Sequence, residues 1–399
     1  GLMDRQALGL HWDLQDDLRF LNHGSFGLAP RELLRWRFEL LTQIERDPVA
    51  FLVDRLPSDL QESRQALAAL IGARAEQLAF VPSTTYGLNE LLQRLDDVPP
   101  GSEILMLDQG YNATANLARF AADQHGWHLR QVAVPLPLQD PLELVEAFVA
   151  AWSPATRVLL LDHITSPGAL VLPLAALIKL GRERGAVVLV DGAHGPGSVP
   201  LDLEALCPDA YVGNLHKWLC CPRGSAFLWV RRPWQERLRP LVISHGANAP
   251  LPASGSRFHL EHDWIGTADP TPWLAVPEAL RLLGPDLTSL MERHHRLAQQ
   301  GQALLLEALK INRLAPSGMQ AAMAAIPLPP VGVLDGVALQ RCLLLRGFQL
   351  PVIPLAPHRS GVPQFLRFSC FAYNTLSDLQ ELAEVLPAVL AEVKTVQAA

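Results

Sequence analysis

The sequence predicts an α/β protein with a mainly parallel, mixed sheet of seven strands covered by helices on both faces, followed by a smaller α+β domain. Two observations indicate this fold. Over the first 230 residues, helical patterns alternate with short apolar or β-branched runs, and from 245 to 263 the composition shifts to Gly, Pro, Ala and Ser. The chain has 399 residues, which is long enough for one large and one smaller domain.

Short apolar or β-branched runs supply the strands of the large sheet. In chain order, they lie at 76–81, 103–107, 128–134, 157–161, 186–190, 209–212 and 225–230. Helical patterns predict helices over 31–46, 57–71, 84–95, 112–124, 141–152 and 173–184. Because only about a dozen residues separate the last two strands, we expect the last one to run antiparallel to its neighbour.

The Gly- and Pro-rich stretch 245–263 predicts a boundary loop. Beyond it, the patterns predict helices over 271–283, 285–309, 335–346 and 377–394 and strands over 321–328, 348–353 and 365–371. We therefore predict a large domain over 25–255, and a smaller α+β domain formed by 256–399 together with the N-terminal segment 1–24.

Composition and charge exclude several classes of protein. The chain is 49% hydrophobic and 18% charged with a net charge of -7, so no basic field would draw it to nucleic acid or to an anionic membrane. Its apolar runs are too short to span a bilayer, and no leader pattern opens the sequence, so we expect a soluble cytoplasmic protein. The five cysteines are odd in number and lack metal-ligand spacing, which indicates neither a disulfide framework nor a metal site.

Polar residues fall at the carboxyl ends of the predicted strands, where ligands bind in open α/β sheets. Asp191 directly follows the apolar run AVVLV, and Lys217 closes the stretch DAYVGNLHK. Thr84 and Thr85 open a helix after the first strand, and Tyr111 follows EILMLDQG. Each also has an ordinary structural interpretation. Asp191 could cap a turn and Lys217 could lie on the surface, while the two threonines could cap a helix and the Tyr111 ring could simply pack.

Together these residue types match one chemistry. A lysine amine can form a Schiff base with an aldehyde cofactor, and pyridoxal phosphate also needs an acid at its pyridine nitrogen, a ring stacker, a phosphate cradle and a clamp for the amino-acid carboxylate. At an effective dielectric of ~20 and a separation of about 4 Å, a charge pair contributes roughly 4 kcal/mol. A carboxylate such as Asp191 could therefore hold the pyridine nitrogen protonated at neutral pH.

Motifs spread through most of the chain resemble the fold-type I pyridoxal-phosphate enzymes of aminotransferase class V, and within that family its amino-acid epimerases. The matching stretches, in order, are FLNHGSFGLAP (20–30), FVPSTTYGLN (80–89), LDQGYNATAN (107–116), HITSPGALVLP (163–173), VDGAHGPG (190–197), DAYVGNLHKWLCCPRGSAFLWV (209–230), DWIGTADPTPWL (263–274) and LRFSCFAYNT (366–375). The order of these stretches makes the group specific, whereas any one alone is weak.

The resemblance implies how the cofactor ring is held. Lys217 would form the Schiff base with the cofactor aldehyde, and Asp191 would pair with the pyridine nitrogen. His194 would lie near the phenolic oxygen, and Tyr111 would stack on the ring.

It also implies a phosphate site and a homodimer with shared active sites. Thr84, Thr85 and His216 would hold the phosphate, joined by Thr267 from the neighbouring subunit. The sequence departs from the family pattern at Ser83, where relatives commonly carry Asn, so the side-chain contacts of the cradle are less closely defined.

The implied substrate is an amino acid or a compound derived from one. Arg367 resembles the arginine that clamps the substrate α-carboxylate, a role suited to its bidentate fork. Its structural alternative is a strand-edge salt bridge. Asn22 and His23 resemble the N-terminal segment that folds over the active site.

Removal of the α-proton by the freed Lys217 would lead to epimerisation, to transamination or to loss of a β-substituent. We expect an epimerase or racemase, with a carbon-sulfur lyase or a class V aminotransferase as alternatives. Tyr86, Tyr111, His23 and His194 are the candidates for the second proton donor.

A cysteine desulfurase is disfavoured, because the segment 347–367 before the clamp arginine contains no cysteine. A nicotinamide-dependent oxidoreductase is disfavoured because no G-x-G-x-x-G follows the first strand. A catalytically silent binding protein on the same scaffold is the remaining alternative.

Overall fold

The computed structural model of the chain describes residues 5–253, 255–357 and 359–398. Its strands are, in chain order, β1 (Arg5–Ala7), β2 (Leu10–Trp12), β3 (Arg19–Phe20), β4 (Leu78–Val81), β5 (Glu103–Leu107), β6 (His128–Val132), β7 (Thr156–Asp162), β8 (Val187–Asp191), β9 (Ala210–Asn214), β10 (Ala226–Val230), β11 (Met323–Leu328), β12 (Phe348–Gln349), β13 (Val352–Pro354) and β14 (Gln364–Ser369).

The helices follow the same alternation. They are α1 (His23–Phe26), α2 (Arg31–Arg46), α3 (Leu56–Ile71), α4 (Thr84–Gln93), α5 (Asn112–His125), α6 (Leu142–Ala151), α7 (Leu174–Glu183), α8 (Leu203–Leu206), α9 (Arg232–Gln235), α10 (Arg257–Asp263), α11 (Thr271–Leu274), α12 (Val276–Leu283), α13 (Leu287–Leu309), α14 (Gly336–Leu345) and α15 (Leu376–Ala398). No helix in the described part of the chain is long and apolar enough to cross a membrane.

The large sheet has seven strands in the order β4-β10-β9-β8-β7-β5-β6. Strand β10 runs antiparallel to both β4 and β9, and the other neighbours are parallel. The predicted mixed sheet and its antiparallel strand are therefore confirmed. Because parallel strands end at the same edge, the carboxyl ends of β7, β8 and β9 lie side by side.

Both faces of the large sheet are buried. Along β7, Val158 and Leu160 pack into one hydrophobic cluster, while Leu159 and Leu161 pack into another on the opposite face. Successive side chains of a strand point to opposite faces, so helices must cover both sides. This explains why inner strands such as β8 and β10 read as apolar runs in the sequence, whereas the edge strand β6 is mostly polar and exposed.

A second sheet, of order β11-β14-β13, is antiparallel. Its core contains residues of β11 and β14 packed against α13, α14 and α15. The N-terminal segment lies beside it, because β3 pairs in parallel with β12 and the Ser369 amide donates to the Leu21 carbonyl at 2.8 Å.

The structure differs from the sequence expectations in two places after residue 250. The expected boundary loop contains α10, whose first turn is capped by Ser256 accepting from the His259 amide at 3.1 Å. The single helix predicted over 271–283 is two helices, α11 and α12, because Pro277 has no N–H to continue the hydrogen-bond ladder. Helix α10 contacts β4, and α11 and α12 contact α3. The domain division at residue 255 stays a prediction.

Candidate active site

A cavity of about 160 Å³ opens at the carboxyl ends of β7, β8 and β9. A second cavity, of about 260 Å³, adjoins it on the side of the smaller sheet. We call them the inner and the outer cavity. The predicted residues that line the inner cavity are Thr84, Thr85, Tyr111, Asp191, His194, His216 and Lys217. Tyr111, His194 and Lys217 line the outer cavity as well, together with Arg367.

Lys217 lies three residues beyond β9, and its side chain faces both cavities. The pKa of its amine is lowered from 10.5 to about 7, chiefly by burial and also by the nearby Arg367 charge, while the Asp191 charge acts in the opposite direction. An amine with such a pKa is substantially unprotonated at neutral pH. It can therefore act as a nucleophile and as a base.

Asp191 ends β8 and is buried, with 4% of its surface exposed. Its carboxylate accepts from the Thr114 hydroxyl at 2.9 Å and from the Ala193 amide at 3.2 Å, which fixes its orientation. Asp162, its register partner at the end of β7, is buried beside it. Burial raises the pKa of both carboxyls, and the charge of Asp191 raises the pKa of Asp162 further. A cation placed here would relieve this desolvation.

The residues predicted to hold the phosphate lie at the start of α4. The Ser83 hydroxyl caps the helix by accepting from the Tyr86 amide at 3.1 Å. The Thr84 amide donates to the Asn214 side chain at 3.1 Å, and the buried Thr84 hydroxyl has no hydrogen-bond partner. Thr85 is exposed. Backbone N–H groups and the helix dipole at such a terminus attract phosphate.

His216 lines the same cavity, and burial lowers its pKa to about 4. Its Nδ1 lies 3.3 Å from the Ser225 carbonyl, to which it can donate. In that tautomer Nε2 carries a proton only when the ring is charged. A bound phosphate would raise the pKa of His216, since a nearby negative charge favours the protonated ring.

Arg367, on β14, is 3% exposed. One Nη donates to the Ser166 carbonyl at 2.9 Å and to its hydroxyl at 3.2 Å, and the other donates to the Ser25 hydroxyl at 3.3 Å. Its Nε has no hydrogen-bond partner, and no described carboxylate forms a salt bridge with it. A buried guanidinium without a counter-ion is costly, so this arrangement favours an anionic ligand.

Two of the four candidate second proton donors line the cavities. Tyr111 is 49% exposed at their rim. His194 is buried, its Nδ1 accepts from the Trp218 indole at 3.4 Å, and burial holds its pKa well below the usual value. Tyr86 and His23 do not line either cavity.

Asn22, His23 and Thr267 are the predicted site residues that the structure does not bring to the cavity walls. Asn22 accepts from the Ser25 hydroxyl at 2.6 Å. Thr267 is exposed on the surface, and its predicted contact, which requires a second subunit, stays a prediction.

His23 is fully buried behind Lys217. Its Nε2 lies 2.7 Å from the Lys217 carbonyl, its Nδ1 lies 2.8 Å from the Tyr373 hydroxyl, and its ring stacks on Phe371 at 3.9 Å. Burial lowers its pKa to about 3, so the ring is neutral. Neither ring nitrogen is left to contact a substrate, and His23 instead holds the backbone of the lysine.

Sequence reasoning missed several side chains that shape the site. Asp162 and Asn214 end β7 and β9, and the rule that drew attention to Asp191 applies to them as well. Ser25 and Ser166 hold Arg367, and Thr114 holds Asp191; their roles depend on contacts between distant segments and have no local signal.

The residues present fit pyridoxal phosphate. The unpartnered Thr84 hydroxyl at a helix start suits a phosphate oxygen, and the two buried carboxyls suit a protonated ring nitrogen. Lys217 would carry the aldehyde carbon, and the unpaired Arg367 would take the substrate carboxylate.

Comparison with known proteins points the same way. A model of the aminotransferase class-V family matches residues 49–382. The isopenicillin N epimerase of Streptomyces clavuligerus is 34% identical over 388 residues, covering 93% of this chain and 95% of that protein. The putative L-cysteine desulfhydrase 1 of Oryza sativa subsp. japonica is 28% identical over 411 residues, covering 93% of this chain and 83% of that protein.

Among solved structures, the cystine C-S lyase C-DES, in complex with its reaction product cysteine persulfide, superposes with a TM-score of 0.80 at 20% identity. The match covers 93% of this chain and 97% of that one, and it supports the fold. These matches confirm the resemblance drawn from the sequence motifs, the fold-type I architecture and pyridoxal phosphate as the cofactor.

Proposed function

The chain belongs to the aminotransferase class-V family, and on that premise we propose that it epimerises the α-carbon of an amino acid or of a compound derived from one. One observation carries the proposal. A single pair of joined cavities holds an amine with a pKa near 7, a buried carboxylate and an unpaired guanidinium. These are the base, the acid partner of the ring and the carboxylate clamp that this chemistry needs.

The role of each residue in the reaction follows from its position in the two cavities. Bound pyridoxal phosphate supplies an electron sink for the electron pair left at the α-carbon. Arg367, which lines the outer cavity, would orient the substrate through its carboxylate. Lys217 Nζ would take the α-proton, and Asp191, held by Thr114, would pair with the pyridine nitrogen and favour its protonated form.

Epimerisation also requires a proton donor on the opposite face. Tyr111 and His194 are the two candidates that line both cavities. Nδ1 of His194 accepts from Trp218, so the neutral ring carries its proton on Nε2 and can donate it. We propose His194 or Tyr111 for this role.

Proton NMR in D₂O tests the reaction. The cofactor-loaded protein is incubated with a panel of amino acids, and the α-proton signal, the enantiomer ratio and any keto acid are followed. Loss of the α-proton with appearance of the opposite enantiomer is expected, and Lys217→Ala should abolish it. A keto acid as product would indicate a lyase or an aminotransferase instead, and no exchange with any amino acid would indicate a silent binding protein.

A carbon-sulfur lyase acting on cysteine or a related compound is the second candidate. The relative from Oryza sativa favours it, and such a reaction needs a base on only one face. None of the described residues lining the two cavities is a cysteine, so a lyase that uses no protein thiol fits better than a desulfurase. Burial raises the pKa of Cys370 and Cys221, which keeps both as thiols. Sulfide release from L-cysteine would identify this activity.

We also propose a homodimer whose subunits share their active sites through Thr267. Several apolar side chains next to the cavity mouth or on the nearby helices are exposed, which suits a covering subunit: Phe26 (66%), Phe38 (67%), Val49 (67%) and Val53 (64%). Sedimentation equilibrium tests the dimer, and a monomer would refute it. All five cysteines are free, which supports a cytoplasmic location that cell fractionation would test.

A further inference from the structure

We propose that the outer cavity selects amino acids whose side chain ends in an uncharged, apolar group. The proposal rests on the proposed function and names its substrate class. It is carried by the apolar side chains of the cavity wall and by the small number of charged side chains among the described residues that line the cavity.

One side of the outer cavity is an apolar wall built from the segment 351–357. Its lining side chains are Pro351, Ile353, Pro354, Leu355 and Pro357. Within β13, Val352 packs against the core of the smaller sheet, while Ile353 and Pro354 line the cavity.

This wall lies beside the carboxylate clamp. The Arg367 amide donates to the Pro351 carbonyl at 3.1 Å, and β13 pairs directly with β14, which carries Arg367. Neighbouring strands lie about 4.8 Å apart. A substrate held by its α-carboxylate at Arg367 would therefore extend its side chain along the wall, with Phe26 also lining the cavity.

The charged side chains that line the outer cavity determine which charge on a substrate side chain the cavity can accommodate. Among the described residues that line it, the cationic side chains are Lys217 and Arg367, and both are used at the α-carbon. His194 is neutral, because burial holds its pKa well below the usual value. A second carboxylate on the substrate would therefore lose its hydration without gaining a counter-ion.

A second ammonium group is disfavoured in the same way. Asp162 and Asp191 line only the inner cavity, and no acidic side chain is among the described residues that line the outer one. A substrate side chain that ends in a carboxylate or in an ammonium group is therefore disfavoured. An apolar side chain would instead displace water from the surfaces of Ile353 and Leu355.

Three amino acids of nearly equal size test this directly: L-norleucine, L-2-aminoadipate and L-lysine. With the cofactor-loaded protein, kcat/KM for α-proton exchange in D₂O should be at least ~10-fold higher for norleucine than for either charged analogue. An equal or higher value for aminoadipate or lysine would overturn the proposal.

Binding distinguishes this outcome from failure of the proposed function. The dissociation constant of each amino acid is measured from the change that it causes in the visible absorbance of the bound cofactor. If norleucine binds most tightly but no amino acid exchanges its α-proton, the epimerase is refuted and the selectivity stands. If the three bind equally, or norleucine binds least tightly, the selectivity is refuted whatever the reaction.

A positive charge placed in the wall should shift the preference towards aminoadipate. Ile353→Arg should raise the aminoadipate-to-norleucine ratio of kcat/KM by at least ~10-fold, since it gives the distal carboxylate a partner. Leu355→Arg provides the same charge at a second lining position should the first variant fold poorly. Val337→Arg, on an exposed position of α14, is the matched control and should leave the ratio unchanged. An unchanged ratio in both wall variants would contradict the assignment of the wall.

Discussion

Replacing Lys217 with Met in the cofactor-free protein should stabilise it, and the gain should depend on pH. Burial lowers the pKa of this amine from 10.5 to about 7, so the unfolded chain binds a proton that the folded chain gives up between those two values. The stability of the parent protein therefore rises with pH across that window. At pH 7 the buried lysine therefore lowers the free energy of unfolding by about 4 kcal/mol. This figure follows from a pKa that is lowered by roughly three units, each of which corresponds to about 1.36 kcal/mol.

The side chain faces a cavity rather than the close-packed core, so water screens part of this cost. We expect Lys217→Met to be about 3 kcal/mol more stable than the parent at pH 7 and less than about 1 kcal/mol more stable at pH 10. Urea unfolding of both cofactor-free proteins at the two pH values measures this difference in the free energy of unfolding. Lys179→Met, at an exposed lysine, is the control, and its stability relative to the parent should be the same at pH 7 and at pH 10. A gap for Lys217→Met that is equal at pH 7 and pH 10 would refute the lowered pKa.

Three further substitutions test the site. Asp191→Asn should lower kcat/KM for α-proton exchange by about 10³-fold, because a charge pair contributing roughly 4 kcal/mol is lost; a loss below ~10-fold would argue against its pairing with the ring. Arg367→Lys should raise KM for the amino acid by about 10-fold with little change in kcat, because Lys cannot donate as a planar fork; an unchanged KM would remove Arg367 as the clamp. Gly27→Ala should lower the free energy of unfolding, measured in urea, by more than about 3 kcal/mol. The φ of Gly27 is +67°, and an added Cβ would lie 1.8 Å from the His216 carbonyl oxygen. Gly9→Ala, at a φ of +69° with nothing within 4 Å, is the matched control and should cost only about 1 kcal/mol.

The sequence predicted the large sheet well because both of its faces are buried. Runs such as 158–161 are apolar throughout, and short apolar runs between helical patterns leave few other arrangements. Helix α2 spans 31–46 as predicted, since its apolar residues fall on one face. Helix α10 was missed because its seven residues, RFHLEHD, are mostly polar, and a helix of that length depends on packing, which for α10 comes from β4.

The site was predictable to the extent that it depends on strand ends. Asp191 and Lys217 were found from their positions after apolar runs, and the same rule would have found Asp162 and Asn214. Contacts between distant segments give no such signal. His23 was expected over the substrate, and its contact with the Lys217 carbonyl, 194 residues away, is visible only in the folded chain.

The anchoring of Lys217 by His23 also bears on when this enzyme becomes competent during its synthesis. His23 is synthesised before both of its partners, and the second of them, Tyr373, follows 350 residues later. At roughly 5–20 residues per second, that gap is on the order of twenty to seventy seconds. A nascent chain would therefore carry Lys217 before the ring that holds its backbone is itself fixed, and this contact would be completed only after Tyr373 has been made.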